Sequence, residues 1–163
     1  MGEQDISQWD EQRIKKLQPA IEASLISSGL PQDALEAATQ KVIKALTHVM
    51  DSDKAQWILS NHKDAQSEYA ISGVINGKIV NRIIDRTFID EDGTRWVIDY
   101  KTSSHEGGNL EGFLDDEQSR YEEQLNEYAQ MLKITGNVSV RLGLYFPLMK
   151  GWREWGLREG YIE

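Results

Sequence analysis

Between Glu68 and Ser103, three stretches rich in β-branched and aromatic residues, EYAISGVING, KIVNRIIDRTFID and TRWVIDYKTS, are punctuated by Asn76-Gly77 and Glu91-Asp92-Gly93. Asn-Gly suits a two-residue hairpin turn with positive φ at both central positions, and Glu-Asp-Gly suits a three-residue loop whose glycine is left-handed. Three antiparallel strands follow. The second loop also sets a register. If Asp90 faces Thr94, each step outward keeps the sum of paired numbers constant, and Asp85 lands opposite Asp99. Directly opposed residues share a face at about 5 Å between Cβ atoms, and Lys101, two residues beyond Asp99, projects from that face as well. The reading is therefore two carboxylates side by side with an ammonium next door. A slip of one residue would put the two aspartates on opposite faces.

Around this meander the periodicity is helical. Ile14, Leu17, Ile21 and Leu25 form one amphipathic stripe between Trp9 and about Ser27, and Leu35, Ala38, Val42, Leu46 and Val49 form a second after the Gly29/Pro31 break. MDSDKAQWILSNHKDAQ adds a short helix around Trp57 and Ile58, so residues 1–66 are expected to be helical. After a glycine-rich acidic loop, Asp115 to Gly136 has an acidic start, a Tyr121, Leu125, Tyr128, Leu132 stripe and a closing Lys133 and Gly136, which predicts a helix. Val138 to Leu148 and Trp152 to Leu157 are expected to be strands around an MKG turn. The expected class is α/β: a three-stranded antiparallel meander, a helix and further strands in a mixed sheet flanked by helices. A single domain over 1–163 is expected, with a core at 67–158.

Two adjacent carboxylates repel unless a cation lies between them. A hard divalent ion such as Mg²⁺ is commonly held by one or two carboxylates and keeps reactive waters, so Asp85 and Asp99 are candidate metal ligands with Lys101 at the attacking water. An ion cluster in which Lys101 and Arg82 or Arg86 neutralise the aspartates would satisfy the same charges without chemistry. The chain has no cysteine among its 163 residues, which removes disulfides and zinc-thiolate sites, and a reducing, cytoplasmic setting without a membrane span is expected. Its 27 acids against 18 bases give a net charge of −9, the wrong sign for a free-standing phosphate binder.

IIDRTFIDEDGTRWVIDYKTS followed by YEEQLNEYAQML resembles the PD-(D/E)XK nuclease superfamily, and within it the RecB-like nuclease domain of UvrD-type helicase–nuclease proteins such as AddA. The likeness runs from about Glu68 to Trp155. It implies a restriction-endonuclease-like mixed sheet and Mg²⁺- or Mn²⁺-dependent DNA cleavage in end processing, recombination and repair. It also implies that the chain is part of a larger helicase–nuclease, with DNA delivered by a helicase domain or partner subunit. By the resemblance Asp85 and Asp99 are metal ligands, the Tyr100 carbonyl completes the metal shell, and Lys101 is the catalytic lysine. Gln124 and Tyr128 are the Q-x-x-x-Y pair near the DNA backbone, and Glu68 is the acid that opens the first strand.

One family feature is missing. RecB-like domains carry a histidine in a GxxxH-like helical context, whereas His48 and His62 lack that glycine. Residues 105–127 hold eight acids and only Arg120 as a base, a surface that phosphates avoid. A non-catalytic nuclease-like scaffold is the rival reading. Of the remaining candidates, His105-Glu106 is expected to be solvated, Tyr121 to belong to the core rather than to stack on a base, and Trp152 and Trp155 to pack on the sheet. The cations of WDEQRIKK are expected on a solvated face.

Overall fold

The computed structural model describes residues 9–133 and 138–157. The elements are α1 (Glu11–Ser27), a 3₁₀ turn (Gln32–Ala34), α2 (Leu35–Met50), α3 (Asp53–Leu59), β1 (Lys63–Ile75), β2 (Lys78–Ile89), β3 (Arg95–Tyr100), α4 (Leu110–Lys133), β4 (Val140–Phe146) and β5 (Gly151–Gly156). They divide into two compact units, one of residues 9–60 with 147–150 and one of residues 61–133 and 138–146 with 151–157.

The first unit is helical. Asp10 caps α1 by accepting the Arg13 N–H at 2.7 Å, Ile14 of the predicted stripe is buried, and the chain leaves the helix through Gly29 at φ 85°. Ser52 caps α3 in the same manner, accepting from the Ala55 N–H at 3.2 Å. His48 on α2 is bonded through Nδ1 to the Pro147 carbonyl at 2.8 Å.

The second unit is a five-stranded mixed sheet in the order β1-β2-β3-β4-β5. All neighbours are antiparallel except β3 and β4, which are parallel. A parallel pair needs a crossover, and α4 supplies it. Val97, Ile98, Leu142, Leu144 and Phe146 fill the sheet's centre and are fully buried, as are Leu114, Leu125 and Ala129 of α4. Two glycines let side chains seat closely. A Cβ on Gly73 would lie 3.1 Å from Met131 Cε of α4, and one on Gly143 would collide with the Trp152 ring.

Both hairpin loops form as expected. Asn76 and Gly77 have φ of 49° and 73°, the primed turn, and Gly93 is left-handed at 80°. Asp90 organises the second loop. Its Oδ1 accepts from the Asp92 and Thr94 N–H groups at 3.0 and 2.9 Å, its Oδ2 accepts from Trp96 Nε1 at 2.8 Å, and its own N–H donates to the Thr94 carbonyl at 2.9 Å.

Several boundaries differ from the sequence reading, among them β4, which spans Val140–Phe146 rather than Val138 to Leu148. β1 begins at Lys63, inside the stretch expected to be helical, because Lys63 pairs with Ile89 and Gln66 with Thr87 across an irregularity at which Asp64 has φ 50°. The partner strand, not the polar sequence KDAQ, imposes extension there. α4 begins at Leu110 rather than Asp115, since Asn109 Oδ1 accepts from the Gly112 N–H at 3.1 Å and the Asn109 carbonyl accepts from the Phe113 N–H at 3.2 Å. β3 ends at Tyr100 instead of Ser103. The expected helix close at Gly136 and the end of the core at residue 158 lie outside the described residues.

Desolvation raises the Asp90 carboxyl, but the hydrogen bonds from Trp96, Thr94 and Asp92 outweigh it and hold the group below its ordinary value. Such a group contributes stability above the ordinary carboxylate range and loses it as pH falls through the depressed pKa. Asp90→Ala should therefore cost roughly 1–2 kcal/mol at neutral pH. In thermal denaturation the deficit should shrink as the pH is lowered through the depressed pKa. A deficit that stays constant over that range would rule out the charged hydrogen bonds as its source.

Candidate active site

β2 and β3 pair from Ile89↔Arg95 to Arg86↔Ile98, so one step further Asp85 stands at the register position opposite Asp99. The ladder ends there. The Tyr100 N–H donates to Asp85 Oδ2 at 2.8 Å, so a side chain takes over from the departing strand as the acceptor. β3 meanwhile stays with β4, and the Lys101 N–H donates to the Tyr145 carbonyl at 2.9 Å. The gap opens beyond the carboxyl ends of two parallel strands, which is where open α/β sheets bind ligands.

Asp99 is nearly buried in this gap, its side chain 10% exposed, and Oδ2 lies 2.6 Å from Lys101 Nζ, whose side chain is 18% exposed. Burial raises the Asp99 carboxyl above its ordinary value. The Lys101 ammonium opposes that shift, and the Asp85 carboxylate reinforces it through both charge and hydrogen bonding. Asp85 and Asp99 therefore interact, as the hairpin register predicts. Arg82 lies 2.8 Å from Glu127 of α4. Arg86 is buried, with Nη1 donating to Ser67 Oγ at 3.1 Å. Burial also raises the Tyr100 phenol, against the pull of Arg86, so this hydroxyl stays neutral and is no candidate acid or base at physiological pH.

α4 carries Glu117, Tyr121, Gln124 and Tyr128 at helical spacing, and the first two of these meet the chain at and just beyond the end of β3. The Tyr121 ring centroid is 3.7 Å from Lys101 Nζ, so this side chain, expected in the core, lies against the candidate catalytic ammonium. Gln124 Nε2 donates to Tyr128 Oη at 2.6 Å, which joins the expected i, i+4 pair. Glu117 is buried, accepts from Ser103 Oγ at 3.3 Å and pairs with Arg120 at 3.0 Å. The sequence reading missed Glu117 and Ser103. The available signal was a carboxylate on the same helical stripe as Tyr121 and Gln124, a place where solvent-facing acids do not belong.

Glu68 is less well integrated. It lies between the Ser67↔Arg86 and Tyr69↔Ile84 pairs, and so at the register position across from Asp85, but its backbone is left-handed at φ 51° and its side chain is exposed. No group of three or more His, Asp or Glu side chains close enough to cage a cation occurs among the described residues. His62 stacks on Phe88 at 4.0 Å, and His105 stacks on Phe113 at 4.7 Å while Nε2 meets the Gly108 carbonyl at 2.9 Å. Trp152 packs 6.0 Å from Trp96, and Trp155 is buried opposite Leu142.

No family model matches the chain, and no curated protein matches it. The crystal structure of SSO0001 is similar over 88% of this chain and 62% of its own, at 15% sequence identity and a TM-score of 0.39. This chain thus spans less than two thirds of that protein's length. The chemistry of the gap has to be read from its own residues. No helix among the described residues is long and apolar enough to cross a membrane.

A carboxyl held above the ordinary 3.8 contributes stability that is complete below that value and is lost as pH rises through the elevated pKa. In chelator-treated protein, Asp99→Asn should therefore melt progressively higher than wild type as pH increases through this window. A difference that does not change with pH would show that Asp99 is not the strained group.

Proposed function

We propose that this chain is a Mg²⁺- or Mn²⁺-dependent deoxyribonuclease domain, of exonuclease type, that hydrolyses phosphodiester bonds during DNA-end processing in recombination and repair. The observation that carries the reading is the meeting of Asp85, Asp99 and Lys101 where β2 leaves β3. The resemblance to RecB-like PD-(D/E)XK domains, the restriction-endonuclease-like form of the fold and the cytoplasmic setting belong to the same proposal.

The donor set fits a divalent ion. Asp85 adds to the cost of ionising the buried Asp99, and one or two such carboxylates suffice for Mg²⁺ when waters fill the other positions. Asp85 and Asp99 would hold it, with the Tyr100 carbonyl as a further oxygen. The ion, when bound, supplies Lewis acidity toward a phosphoryl oxygen and lowers the pKa of a bound water. The chain's own contribution is positional. Lys101 carries a positive charge at the edge of the gap, where charge develops on a pentacoordinate phosphorus, and an ammonium there stabilises the transition state more than the ground state. Gln124, whose amide is bonded to the buried Tyr128 hydroxyl, would stand beside a strand running along α4.

The rival reading is a non-catalytic nuclease-like module, favoured by the eight acids of residues 105–127. A helicase domain or partner subunit that grips and delivers the DNA reconciles that surface with cutting, because this chain then need not hold the strand alone. Fluorescent single-stranded and duplex DNA incubated with Mn²⁺ separates the two readings. Wild type should cleave. Lys101→Ala should lose on the order of 10²-fold or more in rate while keeping Mn²⁺ affinity in calorimetry, and Asp99→Ala should lose both, with circular dichroism unchanged. Absence of Mn²⁺ binding and of cutting by the wild-type chain would favour the scaffold.

A further inference from the structure

Lys101 is held from several directions. Its N–H is bonded to β4 through the Tyr145 carbonyl at 2.9 Å, and its ammonium contacts Asp99 Oδ2 at 2.6 Å. The ammonium also lies over the face of Tyr121, 3.7 Å from Nζ to the ring centroid. One turn earlier on α4, the buried Glu117 accepts from Ser103, two residues beyond Lys101, and so ties the chain leaving β3 to the same helix. A lysine side chain has four flexible carbons and compact, freely rotating donors, so one carboxylate neighbour does not define where its charge lies. An aromatic face, with its negative quadrupole, attracts the cation from a second direction and can do so without competing for its hydrogen bonds.

We infer that Tyr121 is a positioning residue that holds the Lys101 ammonium at the gap between Asp85 and Asp99. This rests on the nuclease reading for its kinetic consequence only; the contact itself is independent of it. Apolar packing would need bulk at position 121 but no ring. The two roles therefore part on substitution. Tyr121→Phe retains a ring face, whereas Tyr121→Leu retains apolar bulk and removes the quadrupole.

Two measurements on the full chain test this. In proton–carbon spectra of lysine-labelled protein, the Lys101 side-chain methylene protons should be shifted upfield by the ring current in wild type and Tyr121→Phe, and should return to ordinary lysine positions in Tyr121→Leu. In Mn²⁺-supported cleavage, Tyr121→Leu should lower kcat roughly tenfold with KM for DNA and Mn²⁺ affinity unchanged, and Tyr121→Phe should restore most of it. Unshifted Lys101 resonances in wild type, or equal kcat in the Leu and Phe variants of a cleaving protein, would overturn the assignment. A wild-type chain that shows the ring-current shift but neither binds Mn²⁺ nor cuts DNA leaves Tyr121 as the residue that positions Lys101 and removes the nuclease reading instead.

Discussion

The Asp90 carboxylate sets the register on which the gap depends. By accepting from the backbone of Asp92 and Thr94 and from the Trp96 indole, it closes the β2–β3 loop at one length, and the ladder from Ile89↔Arg95 outward follows from that closure. With a side-chain period of two, a loop longer or shorter by one residue would turn Asp85 and Asp99 to opposite faces of the sheet. It would also send Val97, one of the most deeply buried residues, toward the other side. Core and candidate site are thus specified by the same few hydrogen bonds, and a sequence that buries its β3 strand correctly brings its aspartates together as a consequence.

What makes the pair chemically interesting is the parting of β2 and β3. Were the ladder to continue, the Tyr100 N–H would belong to a neighbouring backbone and Asp85 would be one more side chain on a covered sheet. Instead Asp85 fills the vacated acceptor position, while β3 is kept in place by β4. Asp99 bears the cost of desolvation there, and Lys101 offsets part of it. Groups whose ionisation is made expensive by burial and by a like charge are characteristic of functional sites, although structural ion clusters share the property.

Much of this was legible in the residues. The primed Asn76-Gly77 turn, the left-handed Gly93, the order of strands around α4 and the meeting of Asp85, Asp99 and Lys101 all follow from local rules of turn geometry and period-two alternation. The limits of the elements were less so. Residues 63–66 carry no strand pattern and are extended only because β2 is there to pair with them, and the start of α4 depends on a single asparagine cap behind two glycines. Glu68 shows the same limit: its position across from Asp85 follows from counting, but its positive φ is a property of the folded strand.

By itself, the sequence determined which residues share a face within each hairpin and each helix, because those relations depend only on backbone periodicity and on turn residues a few positions apart. The tertiary structure decided what crosses between elements. The seating of α4 over the carboxyl end of β3 turned Tyr121 from an apparent core residue into the ring against Lys101, and drew Glu117 out of an acidic run to anchor Ser103. Contacts between distant segments depend on the crossover path and on side chains that interlock at their crossing, such as Met131 against Gly73 and Leu114 against Gly151. No local pattern encodes those distances.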